Sequence, residues 1–260
     1  MNLELISRTT GALPRRPALL FVHGGFHGAW CWDEHFLDWF SARGWAAHAV
    51  SLRGHGASDG HDDIRRFSVS DYCEDVLSTM NSLGGPIVLI GHSMGGVISQ
   101  MCMARSDAVA GLVLLASSPL RPALRVILRL LRAHPVSLLL GQALKDPIRL
   151  RRAMKPFFLS PELSPSLQAL YHSRLSLESP LAMAEVFSRD APIVSPDANR
   201  PVHVIAGKDD WSIAMSDHTS LAKTYNASFE VCPGWHDLML DPHWQSSAIS
   251  INQWLIQKYD

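Results

Sequence analysis

The sequence lacks the features that mark a nucleic-acid-binding, membrane-spanning or secreted protein. Its 260 residues carry 23 Lys and Arg against 24 Asp and Glu, a formal net charge of -1. That balance provides no overall field to attract nucleic acid or an anionic bilayer. No apolar run reaches the roughly 18 residues of a membrane span, and the N-terminus has no basic start followed by an apolar stretch. We therefore expect a cytoplasmic protein with a small-molecule partner, no nucleic-acid partner and no transmembrane segment.

Cysteine is also scarce, and its spacing excludes two kinds of site. The four cysteines form no C-x-x-C pair, which argues against a structural zinc site and against a redox motif. We expect free, mostly buried thiols, and the sequence suggests neither a metal nor a cofactor. These cysteines are Cys31, Cys73, Cys102 and Cys232.

Apolar residues make up 47% of the chain, enough for a continuous core, and many of them fall into short runs. Runs rich in Val, Leu and Ile are typical of parallel strands that are buried on both faces. Segments with helical spacing lie between the runs, and this alternation predicts a doubly wound α/β fold with a mostly parallel sheet. The predicted strands are 19–22, 46–51, 86–90, 109–116 and 202–206, and the predicted helices are 35–43, 71–83, 94–105 and 244–258.

The alternation stops after the fourth of these strands, and no clear buried strand follows before the one that begins at Val202. We interpret residues 118–199 as an inserted helical cap, with 1–117 and 200–260 forming the core. One segment of the cap has apolar residues at helical spacing and arginines on the opposite face, so it is either an ordinary cap helix or a contact for a membrane or an anionic substrate. The apolar residues are Leu124, Ile127, Leu128 and Leu131, and the arginines are Arg121, Arg125, Arg129 and Arg132.

A G-x-S-x-G sequence at Gly91–Gly95 follows a predicted strand and begins a predicted helix. In that context the serine lies on a strained turn that exposes its hydroxyl above the sheet. The two glycines are small because a side chain there would collide with a neighbouring strand or helix. We therefore predict that Ser93 is a catalytic nucleophile.

A serine hydroxyl needs a base to accept its proton and an acid to orient that base, and in this context the acid precedes the histidine along the chain. The predicted strand at 202–206 runs into Asp209 and Asp210, so either carboxylate is a candidate acid. A short strand at 229–231 precedes His236, which lies just before the last predicted helix. That position makes His236 the predicted general base.

The turn after the first predicted strand contains His23, Gly24, Gly25 and Phe26. Glycines let the backbone approach a substrate closely, and this turn usually supplies a donor to the oxyanion. We predict that the N–H groups of Gly25 and Met94 form the oxyanion hole, with Phe26 as the donor if the turn is shifted by one residue. We expect His23 to stabilise the loop.

Three stretches of the sequence resemble known enzymes of the α/β-hydrolase superfamily. Residues 21–32 resemble the H-G-A-x-x-G-A-W-C-W stretch of plant methyl esterases, hydroxynitrile lyases and related bacterial esterases. Residues 51–59 resemble the R-G-x-G-x-S loop of bacterial hydrolases and monoacylglycerol-lipase-like enzymes, and we expect Arg53 and His55 to stabilise this loop. The ending His-Asp-Leu-Met-Leu at 236–240 is closer to the bacterial hydrolases than to the plant enzymes.

The resemblance implies an α/β-hydrolase fold over essentially the whole chain. Similar enzymes usually place the acid three residues after a glycine, and counting from Gly207 this implies Asp210. Because position 93 is serine, the branches that use an aspartate nucleophile are set aside. Aromatic residues close to the predicted loops are candidates for substrate binding or for ordinary packing, chiefly Phe26, Trp30 and Trp211.

The leading hypothesis is a serine hydrolase that cleaves a carboxylic ester of a small, largely apolar substrate through an acyl-enzyme. The same fold also hosts thioesterases, C–C hydrolases, and lyases that use the triad only as acid and base. A ligand receptor without activity is a third hypothesis, but a receptor has no need of the complete triad. The sequence leaves the substrate and the oligomeric state open.

Overall fold

The computed structural model describes residues 1–9, 15–117, 158–186 and 200–260, and its centre is one seven-stranded sheet. The strands are β1 (Leu5–Arg8), β2 (Ala18–Val22), β3 (Ala47–Val50), β4 (Ile87–His92), β5 (Val109–Leu115), β6 (Val202–Gly207) and β7 (Ser228–Cys232). Their order across the sheet is β1-β3-β2-β4-β5-β6-β7. β1 runs antiparallel to β3, and all other neighbouring strands are parallel.

Helices cover the sheet, and a short 3-10 helix at His61–Arg66 precedes the longest helix of the first half. The α-helices are α1 (Trp30–Asp33), α2 (Phe36–Ser41), α3 (Val69–Leu83), α4 (Met94–Arg105), α5 (Pro165–Arg174), α6 (Pro180–Val186), α7 (Met215–Thr224) and α8 (Trp244–Tyr259). None of the helices in the described part of the chain has both the length and the apolar character needed to cross a bilayer.

Alternate residues of the central strands supply two separate cores, one on each face of the sheet. In β2, Leu19 and Phe21 pack with α1, α2 and α8, whereas Leu20 and Val22 pack with α3, α4 and α7. This division follows from the two-residue period of a strand. All four side chains are fully buried, and each contributes roughly 1.5–3 kcal/mol by leaving water.

The predicted α/β fold is confirmed, and the five predicted core strands occur with small shifts at their ends. Some elements were not predicted, namely α1, the 3-10 helix at His61–Arg66, β1 and α7. β1 is a short edge strand whose side chains are only partly buried, so it lacks an apolar run, and α7 is too polar to have a clear apolar period. All four cysteines are free and buried, as predicted. The predicted basic helix between Arg121 and Arg132 lies outside the described residues.

The parallel strands end at the same edge of the sheet, which brings four loops together. The loop after β2 contains Gly25, and the turn after β4 contains Ser93. The loop after β6 contains Asp210, and the loop after β7 contains His236. The topology therefore brings residues that are far apart in the sequence to one edge.

Candidate active site

Ser93 lies between β4 and α4 with a backbone conformation that a serine rarely adopts. Its φ is 51° and its ψ is -118°. A residue with a side chain pays free energy at positive φ, so the surrounding structure must hold it there. Ser93 N–H donates to Leu115 O at 3.1 Å, and Ser117 Oγ donates to Ser93 O at 2.9 Å. These bonds to β5 and to the residues after it hold the strained turn.

The glycines on either side of Ser93 permit close packing around this turn. A Cβ added to Gly91 would lie 2.5 Å from Gly95 O, and one added to Gly95 would lie 2.3 Å from Val22 O. Both contacts are with backbone, which cannot move aside without shifting an element. The packing therefore agrees with the prediction that a side chain at either position would collide with a neighbouring strand or helix.

The three residues predicted as nucleophile, base and acid lie in contact. Ser93 Oγ is 3.0 Å from His236 Nε2, and His236 Nδ1 is 2.9 Å from Asp210 Oδ2. A neutral imidazole with its proton on Nδ1 satisfies both contacts, because Nδ1 then donates to the carboxylate while Nε2 accepts from the serine hydroxyl. The side chains of His236 and Asp210 are each only 1% exposed. This arrangement is able to move a proton from Ser93 to His236.

The two adjacent carboxylates after β6 have different surroundings. Asp210 Oδ1 accepts from the N–H groups of Ser212 at 2.7 Å and Ile213 at 3.1 Å, while Oδ2 faces the histidine. Asp209 is exposed, and its own N–H donates to Gly234 O at 3.0 Å. Of the two, only Asp210 contacts His236.

Charges in this cluster shift its pKa values in opposite directions. Burial alone would raise the pKa of Asp210, but the charge of His236 and the proximity of His218 hold it well below its ordinary range. His218 is fully buried, with Nε2 3.7 Å from Asp210 Oδ2. Burial alone would lower the pKa of His236, but the charge and hydrogen bond of Asp210, with the charge of Asp237, raise it above its ordinary value. Asp210 therefore remains ionised and stabilises a protonated His236.

Both N–H groups predicted for the oxyanion hole belong to backbone that adjoins Ser93. Met94 is the first residue of α4, and a Cβ added to Gly24 would lie 3.1 Å from Ser93 Cβ. Neither Gly25 N–H nor Met94 N–H makes a hydrogen bond within the parts of the chain that the structure describes. The N–H of Phe26, the alternative donor, is already bonded to a carboxylate.

Apolar side chains lie on one side of these groups. Phe26 is buried against Phe158, with ring centroids 5.8 Å apart, and Phe158 stacks on His236 at 5.9 Å. Met183 Sδ lies 3.6 Å from the Cβ position of Gly25. Phe26 therefore lies close to the proposed reacting groups, and its role in substrate binding stays a prediction.

The two tryptophans predicted to bind substrate have different surroundings. Trp30 is half-buried, stacks on His27 at 5.6 Å and contacts Tyr171 at 6.2 Å. Trp211 directly follows Asp210 and is 37% exposed. Trp30 thus packs among other aromatic rings, whereas Trp211 lies at the surface beside the loop of the acid.

Sequence reasoning missed a buried carboxylate beside the oxyanion loop, that of Glu178. It accepts hydrogen bonds from Phe26 N–H at 3.1 Å, His55 Nε2 at 3.1 Å and Tyr72 OH at 2.7 Å. Glu178 belongs to the part of the chain between β5 and β6 that has no sequence motif. Nothing in the sequence indicated that it would meet the loop after β2.

Sequence reasoning also missed the role of Asp237, which directly follows the predicted base. Asp237 Oδ2 accepts from His27 Nε2 at 3.0 Å, and His27 Nδ1 donates to Gly25 O at 2.8 Å. His92 lies 3.6 Å from Asp237 Oδ1, and burial together with the neighbouring His236 lowers the pKa of His92 to about 3. The sequence did contain a signal for these two residues, because His27 and Asp237 both lie inside the stretches that resemble known enzymes.

One group of described residues has the spacing of a metal site. Possible ligand atoms of His92, His236 and Asp237 lie within 4.8 Å of one another. Both ring nitrogens of His236 already have partners, Asp210 and Ser93, so a metal ion would have to break the contact between base and hydroxyl. The donor set therefore fits proton transfer better than it fits metal binding.

Comparisons with known proteins show the family to which the chain belongs. A family model described as "Alpha/beta hydrolase family" matches residues 19–247. Methyl jasmonate esterase 1 of Vitis vinifera is 36% identical over 93 residues, 35% of this chain and 35% of that protein. The pyrethroid hydrolase of Sphingobium wenxiniae is 31% identical over 100 residues, 38% of this chain and 35% of that protein. The chain thus spans about a third of the length of each curated relative.

The similarity in three dimensions covers nearly the whole chain. A structure of a thermophilic esterase from Thermogutta terrifontis superimposes with a TM-score of 0.77 at 22% identity. The alignment covers 99% of this chain and 94% of that one. At this identity the similarity shows the fold.

Proposed function

Because this chain belongs to the alpha/beta hydrolase family, we propose that it is a serine hydrolase that cleaves carboxylic esters of small, largely apolar molecules through an acyl-enzyme. The observation that carries the proposal is the contact series from Ser93 Oγ through His236 to Asp210, at 3.0 and 2.9 Å. The curated relatives support ester hydrolysis, since one is an esterase by name and another a pyrethroid hydrolase.

In the proposed first half-reaction, Ser93 Oγ attacks the ester carbonyl while His236 Nε2 takes its proton. The carbonyl oxygen becomes an oxyanion, held by the N–H groups of Gly25 and Met94. The ionised Asp210 stabilises the imidazolium, which then protonates the leaving alcohol. The products of this step are the free alcohol and an acyl group on Ser93.

In the second half-reaction a water molecule takes the place of the alcohol. His236 removes a proton from the water as it attacks the acyl carbon, and the same N–H groups hold the new oxyanion. Collapse of this intermediate returns the proton to Ser93 and releases the carboxylic acid. Only groups of this chain and water take part, so the proposal includes no cofactor and no metal.

The described side chains beside Ser93 support an apolar substrate. Phe26, Phe158 and Met183 line one side of the reacting groups, and we propose Phe26 and Trp30 as substrate contacts, with Trp211 at the outer edge. Apolar walls around a few convergent polar groups are typical of small-molecule sites.

We also propose that residues 118–199 form a cap over a core made of 1–117 and 200–260. The support comes from the described part of this segment, 158–186. There Tyr171 is buried in the core beside Trp30, and Ser176 N–H donates to Phe26 O at 2.8 Å. Such contacts with the loop after β2 are those expected of a cover over the site.

The test is hydrolysis of p-nitrophenyl esters of increasing acyl length, run beside methyl esters of aromatic acids. Ser93→Ala should lower turnover by several orders of magnitude, as the loss of a triad nucleophile does. Ser99→Ala is the matched control, because Ser99 lies in α4 and, among the described residues, its hydroxyl donates to Gly95 O of its own helix. We expect that variant to keep most of the activity.

Trapping separates hydrolysis from lyase chemistry on the same residues. Rapid acid quenching followed by mass spectrometry should find the acyl group on the peptide that contains Ser93. Near-wild-type hydrolysis by Ser93→Ala would overturn the proposal. A Ser93 that reacts with a fluorophosphonate while no ester is turned over would favour a lyase instead.

A further inference from the structure

The peptide group that joins Gly25 to Phe26 is held at both ends by buried polar side chains, those of Glu178 and His27. It lies in the loop that supplies the proposed oxyanion donor, and Phe26 has a φ of 69°. The backbone of a phenylalanine is strained in this left-handed region and remains there only when its surroundings hold it. The contacts of this one peptide group therefore bear on the geometry of the reaction.

The N–H end of the peptide is held by Glu178, which precedes α6 and lies far from the loop in the sequence. Phe26 N–H donates to Glu178 Oε2 at 3.1 Å. The same carboxylate accepts from His55 Nε2 at 3.1 Å, Tyr72 OH at 2.7 Å and Ser179 N–H at 2.7 Å. Its side chain is 1% exposed, so these four donors replace the water that a carboxylate otherwise requires.

Glu178 and His55 form a buried ion pair. His55 Nδ1 donates to Arg53 O while Nε2 faces Glu178, so both ring nitrogens act as donors. Burial would lower the pKa of His55, but the charge of Glu178 raises it. Burial would raise the pKa of Glu178, but the charge of His55 and the hydrogen bonds lower it. A negative carboxylate next to an oxyanion would oppose catalysis, and His55 neutralises it.

The carbonyl end of the peptide is held by His27. His27 Nδ1 donates to Gly25 O at 2.8 Å, and His27 Nε2 donates to Asp237 Oδ2 at 3.0 Å. Asp237 is adjacent to His236 in the chain and is buried. The carbonyl is thereby linked to the loop that carries the proposed general base.

We infer that Glu178 and His27 are positioning residues that clamp the Gly25–Phe26 peptide and so select Gly25 N–H, with Met94 N–H, as the oxyanion donors. The inference rests on the proposed function. With Phe26 N–H bonded to Glu178 and Gly25 O bonded to His27, the peptide plane has no freedom to rotate. Phe26 N–H is then directed at a carboxylate and is not available to the oxyanion, which leaves Gly25 N–H, in the preceding peptide group, as the donor from this loop.

This role predicts a particular kinetic signature. Oxyanion donors act mainly in the transition state, so a loop that loses its clamp should lower kcat and leave KM nearly unchanged. Loss of a complete donor lowers kcat by about 100- to 1000-fold. A donor that is only misdirected should cost less, and we expect a fall of about 10- to 100-fold.

Glu178→Gln is the first test variant. An amide has one acceptor oxygen and one NH2 group, so it cannot accept from all four donors and leaves His55 without its counter-charge. We expect kcat on a p-nitrophenyl ester to fall by about 10- to 100-fold. Affinity for a boronic acid, which forms a tetrahedral adduct on Ser93, should fall by the same factor, whereas affinity for the product carboxylic acid should change little.

Tyr72→Phe is the matched control, because it removes one donor from the same carboxylate and leaves the contact with Phe26 intact. It should lower the melting temperature while kcat and boronic acid affinity change by less than about twofold. The double variant with Glu178→Gln and His27→Asn should lower kcat by less than the product of the two single fold-changes, because both residues hold the same peptide group.

The outcomes separate the clamp from the proposed function. A folded Glu178→Gln enzyme with wild-type kcat would overturn the clamp, and so would equal losses in Glu178→Gln and Tyr72→Phe with unchanged boronic acid affinity. If Glu178→Gln does not fold, His27→Asn alone decides by the same measurements. A wild-type protein that forms no acyl-enzyme on Ser93 would instead overturn the proposed function.

Discussion

At the scale of single residues, burial and orientation separate two adjacent carboxylates, of which the resemblance to known enzymes implied the second as the acid. Asp209 and Asp210 are adjacent, yet one faces solvent and the other faces His236. Neighbouring residues in an extended loop point in different directions, so only one of two adjacent carboxylates meets the base. The raised pKa of His236 depends on that contact.

The first prediction compares Asp210→Asn with Asp209→Asn. An amide keeps the shape but neither fixes the Nδ1 tautomer nor stabilises the imidazolium, so we expect Asp210→Asn to lower kcat by about 10⁴-fold. Asp209→Asn should have little effect because its side chain is exposed. Steady-state kinetics on a short p-nitrophenyl ester measures both variants, and the reverse ranking would assign the acid to Asp209.

The same pair of variants also tests the pH dependence. His236 must be neutral to accept a proton, and its pKa is raised above 6.5, so wild-type kcat/KM should rise with pH through an apparent pKa above that value. Asp210→Asn removes the charge that raises the pKa of His236, while the burial that lowers this pKa remains. The rise of kcat/KM with pH should therefore move to lower pH. A rise that does not move would show that Asp210 does not interact with the base.

At the scale of elements, the active geometry depends on how closely α4 approaches the end of β2. Gly95, in the first turn of α4, faces the carbonyls of Val22 and His23 at the point where the oxyanion loop begins. The distance between helix and strand therefore sets the distance between Ser93 and the loop donors. Packing requires a small residue at this contact, and the proposed chemistry depends on the same close approach.

The second prediction is that Gly95→Ala lowers both stability and activity. The added Cβ would lie 2.3 Å from Val22 O and 2.4 Å from His23 O, so the helix or the strand end must shift. Overpacking of this kind costs about 1–3 kcal/mol of unfolding free energy. We expect kcat also to fall while the variant is still fully folded, as measured at a temperature well below its unfolding midpoint.

Gly84→Ala is the matched control for Gly95→Ala. Gly84 ends α3 with a φ of +71° and has no atom within 4 Å of its Cβ position. Alanine there strains the backbone and lowers stability without moving the site, so kcat should remain at the wild-type value. If Gly95→Ala behaved in the same way, the close approach of α4 would have no catalytic role.

At the scale of the whole molecule, several buried histidines have pKa values that link folding to pH. Burial lowers the pKa of His23 well below 6.5 and lowers that of His203, while burial and His236 lower that of His92 to about 3. In the unfolded chain these histidines titrate near 6.5. Below that pH the unfolded state binds protons that the folded state does not.

The third prediction is that the free energy of unfolding falls as the pH is lowered below about 6.5. His55 and His236 act in the opposite sense, since their raised pKa values add stability as the pH falls towards 6.5 and add nothing further below it. Urea titrations from about pH 7.5 to about pH 4.5 measure the slope.

Two histidine variants identify the source of that slope. His203→Gln should make the slope smaller, because it removes one buried group whose pKa is lowered. His61→Gln, at an exposed position, should leave the slope as it is. The prediction would be contradicted if the free energy of unfolding of the wild-type protein rose as the pH was lowered from about 6 to about 4.5.

The sequence by itself determined the features that depend on local pattern. Apolar runs and helical spacing predicted the core strands and their alternation with helices, because the period of burial follows from backbone geometry. The G-x-S-x-G turn predicted Ser93 as the nucleophile, and the position of His236 after the last strand predicted it as the base, since the carboxyl ends of parallel strands meet at one edge. β1 and α7 escaped prediction because neither has a strong apolar period.

The tertiary structure decided which groups of neighbouring residues meet, a choice for which the sequence offered only the family resemblance at Asp210 and nothing at Glu178. It brings Asp210 rather than Asp209 to His236, and it occupies Phe26 N–H with Glu178, which comes from a distant part of the chain. It also links His27 to Asp237 across the active-site loops. These contacts join residues that are remote in the sequence through single hydrogen bonds, and such bonds depend on loop direction and burial, which have no periodic signal in one sequence.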